Sequence, residues 1–274
     1  MALFVNTNVS SLNAQRNLNT STDALSTSLQ RLSSGLRVNS AKDDAAGLAI
    51  ASGMTSQIRG GNQAIRNAND ALSLAQTAEG VLGQMESNTQ RMRELSVQAA
   101  NATTSTANFA QIKLELDSLA AENSRLLSGS KFNGQALFDP TNTKSFTFQV
   151  GAGTTADNQI TVQMASAAFS QAATTVTLAT AGDALTAINM LDVDLANISN
   201  MRANLGAAQN RFSAVVSNLQ SFVENLSASK SRIMDTDFAA ETANMTRNQI
   251  IQQAGTAMLS QANQLPNAAM SLLR

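Results

Sequence analysis

The chain has no cysteine, histidine, tryptophan or tyrosine. Without cysteine there is neither a disulfide nor a thiolate metal site. Without histidine as well, the commonest general base and the commonest metal ligands are gone. Only carboxylate, lysine or serine chemistry would remain, so an enzyme is a poor expectation and no cofactor is expected. Charge of one sign is also lacking: 18 Lys and Arg stand against 19 Asp and Glu. That balance gives no electrostatic case for nucleic acid or an anionic membrane as a partner. No apolar run reaches the eighteen residues of a membrane span. The start, MALFVNTNVSSLNAQR, lacks the basic and apolar regions of a secretory signal. Proline is nearly absent, at Pro140 and Pro266 only, so long uninterrupted helices are permitted.

What is present is helical periodicity. From Ile188 apolar residues recur in steps of three and four: Leu191, Leu195, Ile198, Leu205, Phe212, Val216, Leu219, Val223, Leu226 and Ile233. Arg202, Gln209 and Lys230 interrupt the series. The mean step of 3.5 is that of a coiled-coil seam, and the stretch predicts a rod of roughly 70 Å. Such a rod needs partners along its apolar side. Leu25, Leu29, Leu32 and Leu36 mark a narrow stripe near the start, and Ile251, Met258, Leu265 and Leu272 repeat every seven residues near the end. The two predict an antiparallel pair of helices between residues 1–36 and 238–274, with Pro266 bending the tail.

Between them, Gly35 marks a helix exit, and Ser40 and Asp43 a fresh helix start. Residues 36–62, with Gly47, Gly53, Gly60 and Gly61, read as part helix and part turn. A helix over 63–99 shows two registers that change near Glu79 and Gly80, as at a stutter. A third helix follows from Phe109 to Leu126, with Asn123 at a core position as a register device. Residues 128–182 change character. Phe146, Phe148 and Val150, then Ile160, Val162 and Met164, then Val176 and Leu178, alternate as strands do. Asp235-Thr236-Asp237 lacks the glycine and glutamate spacing of a calcium loop and reads as a helix break. The polar stretch 90–98, with Arg91 and Glu94 three apart, reads as a solvated face. The fold expected is mainly α, a long antiparallel helical coiled-coil bundle with a small β-hairpin region mid-chain.

Several blocks carry a resemblance: RLSSGLRVNSAKDDAAGLAIA (31–51), RNANDALSLAQTAEGVLGQM (66–85), QRMRELSVQAAN (90–101), LGAAQNRF (205–212), SRIMDTDFAAETANMTRNQIIQQAGTAMLSQANQLP (231–266) and SLLR (271–274). In this order they resemble bacterial flagellin over about 1–140 and 183–274. The resemblance implies a structural subunit that self-polymerises into the extracellular flagellar filament for swimming motility. It implies export through the flagellar type III channel without a cleaved signal. Residues 1–44 and 234–274 would form an inner terminal coiled-coil domain. Residues 45–233 would form an outer helical-bundle domain with a hairpin region at 129–182, and the variable outer domains would be absent. Leu25, Leu29, Leu32, Leu36, Ile251, Met258, Leu265 and Leu272 are then candidates for the polymerisation seam. Arg202, Gln209 and Lys230 become candidates for places where the long seam turns toward another subunit, with Gly206 marking a close helix approach. Implied partners are further copies of the chain, an export chaperone, cap and hook-associated junction proteins, and the host Toll-like flagellin receptor. For the receptor, the matching positions are Arg91, Leu95 and Glu115. The Ser/Thr-rich region 141–182 is the expected place for O-linked glycans. Two alternatives stay open: a hook–filament junction protein, and a secreted monomeric helical adhesin or immune-active effector.

Overall fold

The computed structural model describes residues 8–101, 105–139, 143–164 and 178–271. Five long helices dominate: α1 (Val9–Ser34), α2 (Ala45–Ala99), α3 (Thr106–Gly129), α4 (Ala181–Met234) and α5 (Phe238–Ser271). Two small antiparallel ladders lie between α3 and α4. One pairs β1 (Lys131–Phe132) with β2 (Gln135–Ala136), the other β3 (Lys144–Gln149) with β4 (Gln159–Met164). The chain divides into two compact units, residues 1–58 with 224–274, and residues 59–223.

In the 59–223 unit, α2 contributes one unbroken heptad stripe. Ala64, Ala68, Ala71, Ala75, Ala78, Leu82, Met85, Thr89, Met92 and Ala99 are all buried. The expected stutter near Gly80 is therefore absent. Alanines carry the first half of the stripe, and small side chains let helices approach closely; a search for large apolar residues picks Ile65 and Leu72 on the flanks instead. Nor does the chain turn over 45–62, where α2 runs through Gly53, Gly60 and Gly61. The last two answer to packing: a Cβ at Gly60 would stand 2.7 Å from the Ala152 Cβ, and one at Gly61 2.8 Å from Val223 Cγ2. The start of α2 is held by Asp44, whose Oδ1 accepts from the Gly47 N–H at 2.8 Å. Asp43, expected in the first helical turn, instead closes the preceding turn by accepting from the Asn39 and Ser40 amides.

α4 supplies the facing stripe, with Leu191, Ile198, Leu205 and Phe212 buried. Two of its three interruptions, Arg202 and Gln209, have partners inside the chain. Arg202 pairs with Glu86 and lies 3.8 Å from Glu79, and Gln209 donates to Glu79 at 2.7 Å. Both residues thus have partners within the chain, though the Arg202 Nε has none among the described residues. Among the described residues of the chain, a Cβ at Gly206 would meet nothing within 4 Å, so no close helix approach within the chain lies there. α3 closes the bundle through Phe109, Ile112 and Leu116. Its Asn123 is 7% exposed and accepts from Asn88 at 2.8 Å across the helices. This buried polar pair penalises any slipped register that would leave either amide alone.

The β3–β4 ladder follows the expected alternation, with Phe146 opposite Val162 and Phe148 opposite Ile160. Ile160, Val162 and Met164 are buried and cover the lower part of the α2–α4 core. The Phe148 ring meets Phe212 edge-on at 5.7 Å. Leu178 is buried but lies in irregular chain before α4, not in a strand; Val176 lies outside the described residues. Sequence reasoning passed over the β1–β2 hairpin. Asn133 (φ 49°) and Gly134 (φ 78°) both take the left-handed conformation of its two-residue turn, and an Asn-Gly pair is the standard signal for one.

Candidate interaction surfaces

The unit formed by 1–58 and 224–274 is built around α1 antiparallel to α5. Asn8 caps α1 by accepting from the Ser11 N–H at 3.2 Å and donates to the Ala262 carbonyl at 2.8 Å. Ser11 and Ser21 bond to Asn263 and to the Asn248 carbonyl at 2.9 and 3.1 Å. At the other end Arg31 lies 3.7 Å from the buried Glu241. There Gly35 ends α1 in the left-handed region (φ 71°), its N–H donating to the Arg31 carbonyl. Asp237 then starts α5 by accepting from the amides of Ala239 and Ala240. Leu36 bridges to Asp235, and the Thr236 N–H donates to the Gly35 carbonyl. Asp235-Thr236-Asp237 is thus a joint between two helices. Among the described residues no cluster of carboxylates could hold a metal ion.

The seam between α1 and α5 is lined by small and polar groups. On α1 it runs Ser11, Ala14, Leu18, Ser21, Leu25, Ser28 and Leu32, with the three serines buried and the others half-buried. On α5 it runs Glu241, Met245, Asn248, Gln252, Gly255, Leu259 and Ala262, again in steps of three and four. Leu18 Cδ1 would lie 3.4 Å from a Cβ at Gly255, an approach that a side chain there would tighten. Five large apolar residues, Leu18, Leu25, Leu32, Met245 and Leu259, share that seam, and others stand off it. Val9 is 67% exposed, Leu12 51%, Leu29 50%, Ile250 60%, Ile251 45% and Met258 64%. Phe238, Ala243, Ile250 and Ile251 line an open trough along α5.

The candidate seam residues therefore separate. Leu25 and Leu32 sit at α1–α5 contact positions and are half-buried, as is Leu36 at the joint. Leu29, Ile251 and Met258 face outward. The side chain of Leu265, and Leu272 altogether, lie outside the described residues. The helix itself continues through Pro266 to Ser271.

In the 59–223 unit, Arg91 links two helices. Its Nη2 donates to Glu115 on α3 at 3.0 Å, and its Nη1 to Glu94 one turn on at 3.1 Å. Hydrogen bonds that it donates to Glu94, then to Glu115, raise the guanidinium pKa above its ordinary value. All three side chains are about half exposed or more. Leu95 is different: at 2% exposed it packs in the core with Met92, Ala99 and Phe109. Val97, 50% exposed, is the apolar side chain this end of α2 presents to solvent.

Comparison with known proteins gives these surfaces their context. The model of the bacterial flagellin N-terminal helical region matches residues 5–143, and that of the C-terminal helical region matches residues 188–273. The chain belongs to the flagellin family. It is 42% identical over 99% of its length to a flagellin from Halalkalibacterium halodurans, all of which it covers. It is 35% identical to polar flagellin C of Vibrio parahaemolyticus, in an alignment of 384 positions covering all of both chains. That relative therefore carries residues with no counterpart in this shorter flagellin, which lacks the outer variable domain. A flagellar hook-associated protein structure from Vibrio parahaemolyticus superposes with a TM-score of 0.62 over 70% of this chain and all of that one, at 13% identity. Likeness at that identity concerns the fold. As a flagellin the chain is a structural protein of the extracellular filament.

Proposed function

We propose that this flagellin polymerises with copies of itself by covering the outward apolar residues of α1 and α5. The observation that carries the reading is the inversion on those two helices. Small and polar groups share the contact within the chain with half-buried Leu18, Leu25, Leu32, Met245 and Leu259, while Leu29, Ile250, Ile251 and Met258 face away. A seam in which serine, alanine, asparagine and glycine alternate with half-buried leucines buries limited apolar area, and ordering backbone costs roughly 1–2 kcal/mol per residue. Neighbouring copies supply the missing burial. In this reading 1–44 with 234–274 form the inner tube, and 45–233 with the hairpin region 129–182 the outer one. Export through the flagellar type III channel without a cleaved signal, a chaperone on the C-terminal segment, and cap and hook-associated proteins at the filament ends belong to the same proposal. Two family models and full-length relatives named as flagellins favour the filament subunit over a junction protein. Seeded growth of filaments tests it.

The monomer is also proposed as a ligand of the Toll-like flagellin receptor through the Arg91 face. The exposed Arg91–Glu115 pair would make the contact, and buried Leu95 would hold the helix face in place. Replacing Arg91 by alanine is expected to lower receptor-reporter stimulation roughly tenfold or more, since arginine is a frequent interface anchor, with the circular dichroism of the monomer unchanged. Stimulation equal to wild type would remove the site. Within the glycan expectation for 141–182, Thr141, Ser166, Ser170, Thr174, Thr175 and Thr177 lie outside the described residues.

A further inference from the structure

Asp194 occupies an inward position of α4 in the bundle of residues 59–223, flanked by buried apolar side chains. It lies on α4 between Leu191 and Ile198, which are 3% and 0% exposed, and is itself 7% exposed. It accepts no hydrogen bond among the described residues. Charged groups on the neighbouring elements are engaged elsewhere. On α2, Arg93 is held by Asp192, and Arg91 by Glu94 and Glu115. On α3, Lys113 pairs with Asp117 and Glu122 with Arg125, all at the solvent face. An ionised carboxylate without a counter-charge or a donor is costly in such a place, and the neutral acid is the form that fits.

We infer that Asp194 is carried as the neutral acid in the folded bundle, so that folding takes up one proton and the bundle weakens as the medium turns from acid to neutral. The inference stands apart from the polymer reading, since it concerns the single chain. Burial alone pushes the Asp194 carboxyl from 3.8 to about 7. Between those values the folded chain holds a proton that the unfolded chain has released. Stability therefore falls as pH rises through this window and levels off above it. Groups of the opposite sign act lower down. The Thr180 hydroxyl and nearby amides hold Asp183 below its ordinary value, and Arg125 does so for Glu122, so their contributions are lost only as the medium becomes strongly acid. The absence of histidine and cysteine makes the window clean: no unperturbed side chain titrates between pH 5 and 7.

The test is urea unfolding of the full-length monomer at pH 5 and pH 7, for wild type, Asp194→Asn and Asp194→Ala. For wild type the folding equilibrium constant is expected to fall at least tenfold, with roughly a hundredfold as the ceiling. Both variants are expected to lose that slope and to equal or exceed wild type at pH 7. Alanine already fills the seam at Ala184 and Ala187, so it provides a folded variant should asparagine pack poorly. A wild type without slope, variants that keep it, or the failure of both variants to fold would overturn the inference.

Discussion

Deleting residues 238–274 is expected to leave a soluble, folded protein that forms no filament. The deletion removes α5 whole, and with it the exposed Ile250, Ile251 and Met258 and one wall of the α1–α5 seam. α1 then has nothing to close on. Its contact face is Ser11, Ser21 and Ser28 with Leu18, Leu25 and Leu32, too sparse to hold a helix in water alone. The 59–223 unit keeps its own core, where Leu82, Met85, Ile198, Leu205 and Phe212 are almost fully buried. Circular dichroism should show helix loss confined to the missing and uncovered segments, with a cooperative melt retained. Electron microscopy under polymerising conditions should show no filaments. Filaments of normal appearance would mean that the apolar face of α5 is dispensable, and the assembly proposal would fall with it.

The second large effect is expected at Phe212. Its ring is 0% exposed and meets Phe148 edge-on at 5.7 Å, joining α4 to the β3–β4 ladder. Truncation to alanine removes the transfer free energy of the ring and leaves a cavity between elements that cannot easily collapse on it. A cost of about 3–5 kcal/mol is usual for a buried phenylalanine. In a unit of this size that is a fall in melting temperature of roughly 10 °C. Leu185→Ala serves as control, since Leu185 is 58% exposed and its loss should be near neutral. Chemical denaturation of both variants checks the pair. A Phe212→Ala protein within about 1 kcal/mol of wild type would show that the hairpin is not anchored through this ring.

Helix order and most helix ends were legible in the periodicity, but not that one helix runs unbroken from Ala45 to Ala99. Proline scarcity allowed two helices of 55 and 54 residues, and the alternation at Phe146–Val150 and Ile160–Met164 marked the ladder. What stayed hidden has one physical origin. Reading by large apolar residues assumes that they face inward. On α2 the inward positions hold alanine, so a register of Ile65, Ala68, Leu72, Ala75 and Leu82 catches Ala68 and Ala75 but puts Ile65 and Leu72 where Ala64 and Ala71 pack. On α1 and α5 serine, asparagine and glycine share the inward positions with leucines, and the heptad of Ile251 and Met258 faces solvent. Gly60 and Gly61 read as turn residues because sequence cannot distinguish a glycine that bends the chain from one that admits a neighbour. Arg91 with Glu94 was visible at its spacing, but the partner across the bundle, Glu115, came only from family resemblance. Asp194 gave no signal, because the register that placed Leu195 on the seam left it on the flank.

The central claim is that the apolar residues on the outer sides of α1 and α5 are there to be covered by other copies of the chain. The most direct measurement is elongation of short filament fragments by purified monomer, comparing wild type with the Ile251→Ser, Met258→Ser double variant. Both side chains lie off the α1–α5 seam, at 45% and 64% exposure, so the variant monomer should keep its helix content. The account predicts that wild type extends the fragments into long filaments while the variant does not. A wild type that stays monomeric beside the fragments, or a variant that elongates them at the wild-type rate, would contradict it.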